Sequence, residues 1–170
     1  MTNATLKAVA AAGVAMLLGM SQQAGAVTQQ RLFMQGATGP CDAVNPVSDS
    51  KLSRTSTGLR NVATTNVLIA CSMLGDEAST GPAAQVFIYL KNHTATTKNI
   101  TCTLATTPYW GISFSNKTIT LAGNGYDYLE WTPGNYPSTI QARVMNLQCT
   151  LPPGISAREI GVRYNEDVGA

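Results

Sequence analysis

Four cysteines (Cys41, Cys71, Cys102 and Cys149), one histidine (His93) and nine carboxylates are the side chains of this 170-residue chain that could do chemistry. A zinc site wants Cys and His ligands only a few residues apart. Here successive cysteines lie 30, 31 and 47 positions apart and His93 stands alone, so no metal is expected. A serine hydrolase needs a base, normally a histidine oriented by a carboxylate, to take the serine proton. His93 sits in the polar segment Lys91-Asn-His-Thr94 and no G-x-S-x-G elbow is present, which makes it an ordinary loop histidine. The sequence also lacks a Walker loop, G-x-G-x-x-G and H-E-x-x-H, so no cofactor is expected.

Glycoside hydrolysis needs only two carboxyl groups about 5–10 Å apart, a requirement that no short motif captures. Glu130 is the most suggestive acid, because Tyr128, Leu129 and Trp131 surround it. Burial beside aromatic rings would favour the protonated form that a general acid needs. Asp127 falls on the opposite face of a regular strand and makes a poor partner, so Glu130 reads first as an outward strand residue. Asp76-Glu77 and Glu166-Asp167 are adjacent acids without the D-x-D-x-D-G spacing of a calcium loop.

Binding is the stronger signal. Tyr109, Trp110, Tyr126, Tyr128, Trp131 and Tyr136 are six of the eleven aromatic residues and fall within 28 positions. The segments Pro108-Tyr-Trp-Gly111 and Trp131-Thr-Pro-Gly-Asn-Tyr-Pro137 carry Pro and Gly and read as loops or strand ends. Tyr109, Trp110, Trp131 and Tyr136 would stack on sugar rings, while Glu130, Asn124 and Asn135 bond hydroxyl groups. The competing expectation is that these rings pack the core, where Trp and Tyr are commonly found.

Residues 1–26 read as a secretory signal: Lys7, an apolar run from Ala8 to Leu18, and an A-x-A site at Ala24-Gly25-Ala26 with cleavage before Val27. The apolar run is short of the roughly 20 residues that a membrane span needs, and no later segment is long and apolar enough. Export implies a secreted or periplasmic protein. An even cysteine count then reads as two disulfides. Three connectivities can be drawn; Cys41–Cys71 with Cys102–Cys149 is favoured, since each pair closes one half of the chain. Eleven Lys and Arg face nine Asp and Glu, with no run of like charges, which argues against a nucleic-acid surface.

Positioning these groups falls to strands. Met145, Leu147, Cys149 and Leu151 share one face of an alternating segment, and Ile100, Cys102 and Leu104 share one face of another. Val67, Ile69, Cys71 and Met73 repeat the pattern, and inward cysteines on such strands would staple a core. Residues 27–40 form a leader or edge strand around Leu32-Phe33-Met34, and 41–170 form a single domain. Within it, Cys41–Thr57 reads as a long loop, and Gly58–Val62 with Asn66–Leu74 as a hairpin. Gln85–Leu90 reads as a central strand, and Ile112–Phe114 with Lys117–Leu121 as a bulged one. The last strand, around Ile160, Val162 and Tyr164, is followed by a polar tail. About eight strands at short intervals predict an antiparallel β-sandwich, immunoglobulin-like or jelly-roll, with a closed barrel as the alternative.

The frame Cys41…Gly58-Leu-Arg-Asn61…Cys71, then Cys102…Cys149-Thr-Leu-Pro-Pro-Gly154…Tyr164, resembles that of small secreted two-disulfide proteins of Gram-negative bacteria. The resemblance supports the favoured pairing and implies no active site. Three functions remain on the sequence alone. The first is a non-catalytic secreted domain acting by surface binding or assembly, with a polysaccharide, a protein or a second copy of itself as partner. The second is a carbohydrate-binding module that uses the aromatic loops. The third is a small glycoside hydrolase that uses Glu130.

Overall fold

Eleven segments form strands in the computed structural model, which describes residues 27–74, 83–106, 112–133 and 144–168. The strands are β1 (Val27–Gly36), β2 (Cys41–Ala43), β3 (Leu52–Thr55), β4 (Gly58–Asn61), β5 (Val67–Leu74) and β6 (Ala83–Asn92). They continue with β7 (Lys98–Thr106), β8 (Ser113–Leu121), β9 (Tyr126–Trp131), β10 (Val144–Leu151) and β11 (Ile155–Val168). Thr28–Asp167 forms a compact unit. Its two antiparallel sheets are ordered β3-β4-β11-β6-β9, with β1 alongside β11, and β2-β5-β10-β7-β8.

The two orders run in step. β4 leads directly into β5, β6 into β7, β8 into β9 and β10 into β11, and in each case the two strands hold the same rank in opposite sheets. The fold is therefore a β-sandwich built from corners that cross between layers. Gly58–Val62 and Asn66–Leu74 are accordingly not a hairpin: β4 and β5 lie in different sheets. Leu59, Val86, Ile88, Leu90, Ile160 and Val162 from one sheet, with Ile69, Ile100, Leu104, Met145, Leu147 and Leu151 from the other, fill the core. Burying a Val, Leu or Ile side chain of this kind stabilises by about 2 kcal/mol against leaving it exposed.

Both disulfides lie within the five-stranded sheet. Cys41 is bonded to Cys71 directly opposite it on β5, and Cys102 to Cys149 directly opposite it on β10. They are cross-strand staples inside one sheet, where an immunoglobulin domain would bridge its two sheets.

Cys41–Thr57 proves to be structured. It holds β2, a 3-10 turn over Pro46–Lys51 capped by Asn45, and β3. Arg54 binds it together, donating to the carbonyls of Thr38 (2.8 Å) and Cys41 (3.0 Å) and to the carboxylates of Asp42 (2.5 Å) and Asp49 (3.2 Å). β8 is a single unbroken strand paired with β7 from Ser113 to Leu121. The bulge is in β11 instead: Ala157 faces Leu90 and Ile160 faces Ile88, so three steps on β11 match two on β6. β11 also runs on through what reads from sequence as a polar tail.

Candidate functional site

Sheet register decides which side chains share the outer face of the six-stranded sheet. Arg60 pairs with Ser156, Ser156 with Lys91, and Lys91 with Tyr126, so one row crosses four strands, β4, β11, β6 and β9. At about 4.8 Å per strand that row spans roughly 14 Å. Further along, Tyr89 pairs with Tyr128 and Phe87 with Glu130. Leu129 and Trp131 point the other way, into the core.

Four rings gather in this face. Tyr89 lies parallel to Tyr126, with 5.5 Å between centroids and 5° between planes. It also meets Tyr128 at 5.3 Å and Phe87 at 5.6 Å, the latter edge-on. Phe87 is 4% exposed because its ring lies over Gly161, where an added Cβ would come within 2.4 Å of the ring. Tyr126 is 52% exposed and Tyr128 42%. A shallow cleft of about 190 Å³ borders the rings, lined by Leu32, Met34, Gln85, Tyr128 and Arg163 among others. Burial, the Glu159 carboxylate and Tyr89 together push the Tyr126 hydroxyl above its ordinary pKa, with Arg158 opposing them.

At the other end of the row lies a second cleft of about 200 Å³, lined by Thr55, Thr57, Gly58, Arg60, His93, Ser156 and Arg158. His93 Nε2 is 3.0 Å from Ser156 Oγ. Burial, then the positive charges of Arg60, Lys91 and Arg158, hold the imidazole below its usual pKa. The bulge in β11 brings Arg158 to this cleft; re-aiming a side chain is a common use of bulges.

The residues expected from sequence fare unevenly. Trp131 is 0% exposed, and its Nε1 donates to the Ser115 carbonyl at 3.2 Å, so its ring has no face for a ligand and the expected stacking role is corrected. Glu130 points outward, half-buried, with its carboxylate accepting from Gln85 Nε2. Asp127 lies on the opposite face of β9, paired with Leu90, so the two carboxyl groups do not converge. Tyr109, Trp110, Asn135 and Tyr136 lie outside the described residues. Asn124 contributes its backbone carbonyl, which accepts from Lys91 Nζ. Sequence reasoning did not single out Tyr89, Arg60, His93 and Arg158 as site residues. The alternation Tyr126, Tyr128, Glu130 against Leu129, Trp131 was the available signal for β9.

The opposite outer face differs in kind. There Thr101 meets Thr118 at 2.8 Å, Thr103 donates to Asn116 at 2.7 Å and Thr120 to Asn99 at 2.8 Å, a ladder of hydroxyl and amide groups. Among the described residues no three His, Cys, Asp or Glu side chains gather as a metal site requires. No described helix is long and apolar enough to cross a membrane.

No protein-family model matches the sequence, and no curated protein matches it. Among solved structures, the chain is similar to a family 36 carbohydrate-binding module in complex with calcium and xylotriose (8% identity, 76% of this chain and 98% of that one, TM-score 0.43). It is similar also to a family 35 module from Cellvibrio japonicus (12% identity, 83% and 100%, TM-score 0.38). A third is a family 11 module from Clostridium thermocellum in complex with a mixed-linked tetrasaccharide (9% identity, 86% and 90%, TM-score 0.37). All three TM-scores lie below 0.5, and nothing is carried over from these proteins to this chain.

Proposed function

We propose that the protein is an exported, non-catalytic β-sandwich that binds glycans on the outer face of its six-stranded sheet. The observation that carries this reading is the ring cluster of Tyr89, Tyr126, Tyr128 and Phe87, with two half-exposed tyrosines held in place by neighbours. Apolar faces of sugar rings stack on such aromatics, and a platform whose rings are already packed loses little freedom on binding. Glu130, Gln85, Lys91 and Ser156 flank the rings on the same face and supply hydrogen-bonding groups for hydroxyls. The platform is formed by strands, which hold it more rigidly than loops would.

The test is calorimetric titration of the mature protein with a panel of cell-wall and environmental glycans. Saturable binding is expected, lost in Tyr126→Ala and Tyr128→Ala with the fold intact. Absence of binding across the panel, or binding indifferent to both substitutions, would overturn the reading.

A second reading, assembly, is favoured by β1. Leu32, Phe33 and Met34 are all exposed on this strand at the margin of the sheet, and unpaired strand edges pair with other chains. Sedimentation at high concentration tests it: concentration-dependent association abolished by Phe33→Lys supports assembly, and a strict monomer removes it.

A further inference from the structure

We infer that the cleft between β4 and β11 is an oxyanion subsite that selects glycans bearing an acidic substituent, a uronate carboxylate or a sulfate ester. The inference deepens the glycan-binding reading and rests on it. Arg60 and Arg158 approach the cleft from two strands, and neither forms an ion pair among the described residues, unlike Arg31 with Glu166 and Arg54 with Asp42 and Asp49. Arg60 Nε is buried and makes no hydrogen bond among the described residues, a costly state for a guanidinium donor. Guanidinium groups match carboxylate and sulfate geometry through paired N–H donors, and charge-assisted bonds of this type are stronger than neutral ones.

The remaining lining is of the same character. Ser156, 2% exposed, lies at the middle of the row with its hydroxyl against His93, and Thr55 and Thr57 line the cleft as well. Lys91 adds a third cation one strand over. A group bearing negative charge in the cleft therefore meets two guanidinium groups and several hydroxyls, with the Lys91 ammonium outside the lining and bonded to the Asn124 carbonyl. The His93 imidazole, whose pKa is lowered by burial first and then by Arg60, Lys91 and Arg158, would gain a proton more readily once an anion balanced those cations. The continuity of the row is what makes the ligand a glycan: Arg60, Ser156, Lys91 and Tyr126 are register neighbours, so an acidic group in the cleft places its sugar chain toward the tyrosine platform.

The test measures binding of the mature protein to polygalacturonate, to a sulfated galactan and to neutral galactan, at physiological ionic strength. Inorganic sulfate is run as a separate titrant. The acidic polymers are expected to bind about tenfold more tightly than the neutral one. Arg60→Gln and Arg158→Gln should each erase that preference while leaving neutral binding intact. Lys98→Gln, which removes one charge from the other sheet, should preserve it. Which acidic polymer wins separates carboxylate from sulfate. Equal affinity for acidic and neutral polymers, with binding still dependent on Tyr128, overturns this inference and leaves the glycan reading standing. A preference that survives both arginine substitutions, or a response to inorganic sulfate alone, also overturns it. Binding to none of the polymers overturns both.

Discussion

Asn61 and Asn92, 31 positions apart, hold two corners of the sandwich by the same set of hydrogen bonds. Asn61 Nδ2 donates to the carbonyls of Thr65 and Leu151, both at 2.8 Å, and its Oδ1 accepts from the Ala63 amide at 2.9 Å. Asn92 Nδ2 donates to the carbonyls of Thr96 (2.7 Å) and Ala122 (2.9 Å), and its Oδ1 accepts from the Thr94 amide at 2.9 Å. Both residues are fully buried. Each ends a strand of the six-stranded sheet and starts the crossing to the five-stranded one. The same interval relates Cys71 to Cys102, so β4–β5 and β6–β7 are two copies of one strand–corner–strand unit.

Truncating either asparagine leaves a buried carbonyl, that of Leu151 for Asn61 and of Leu121 for Asn92, together with part-buried carbonyl and amide groups, without their partner. Asn61→Ala and Asn92→Ala are each expected to cost about 3 kcal/mol and to lower the melting temperature by about 10 °C. Thermal unfolding followed by circular dichroism checks this. A loss of only a degree or two would mean that the corners hold without their amide clamps.

How much of this was legible depends on where the burial lies. Three of the four cysteine-bearing strands, those from Val67, Lys98 and Val144, alternate strictly, because one face meets the core and the other water, and their inward sets are those expected. β2 and β3 are too short, at three and four residues, to show a period within Cys41–Thr57. Nor does a polar five-residue connection say whether it closes a hairpin or crosses between sheets; only the recurrence of Asn and Thr at 31 positions hinted at the corner. On the site, alternation within β9 could have put Tyr126 and Tyr128 on the outer face, but the sequence pointed to Tyr109, Trp110, Trp131 and Tyr136 for the stacking role. Arg60, His93 and Arg158 had no such signal, because three distant segments meet only through the pairing of Arg60 with Ser156 and the bulge after Ala157.

The disulfides are expected to behave as two local staples. A peptide map without reductant should show Cys41–Cys71 and Cys102–Cys149, each cysteine being linked to the residue opposite it on the adjacent strand. A Cys41–Cys149 peptide would contradict the fold. Replacing Cys102 and Cys149 together by alanine should cost about 4 kcal/mol on the loop-entropy scale, read as a shift in the denaturation midpoint.

Stability should carry a pH signature from His93. Its folded-state pKa lies below the usual 6.5, through burial first and then the charges of Arg60, Lys91 and Arg158. Between the folded value and 6.5 the unfolded chain holds more protons, so stability rises with pH across that interval. The contribution is fully present above 6.5 and is lost as pH falls from there through the lower folded-state value. Melting temperatures from pH 8 to 5 should therefore decline less in His93→Gln than in the parent; parallel profiles would show that the imidazole titrates alike in both states.

Trp131 separates core from site. Its ring is enclosed and its Nε1 ties β9 to the Ser115 carbonyl on β8. Trp131→Ala is expected to cost about 4 kcal/mol, whereas Trp131→Phe should cost less and leave glycan affinity unchanged. Weakened binding in a well-folded Trp131→Phe protein would place the ligand closer to β9's inner face than the tyrosine platform.

Gly58 joins the fold to the anion cleft. Its φ of +141° lies where residues with a Cβ are strained, and an added Cβ would stand 2.4 Å from the Ala157 carbonyl oxygen and 3.1 Å from Arg158 Cα. Both neighbours are backbone of β11 at the start of its bulge, so no side-chain rotation relieves the clash. Gly58→Ala should therefore cost about 3 kcal/mol. Because relief requires β11 to move, it should also displace Arg158 from Arg60 and abolish the preference for acidic glycans, even at a temperature where the variant is folded. Comparison with Arg158→Gln decides the matter: the arginine variant should lose the preference without the stability, and Gly58→Ala should lose both.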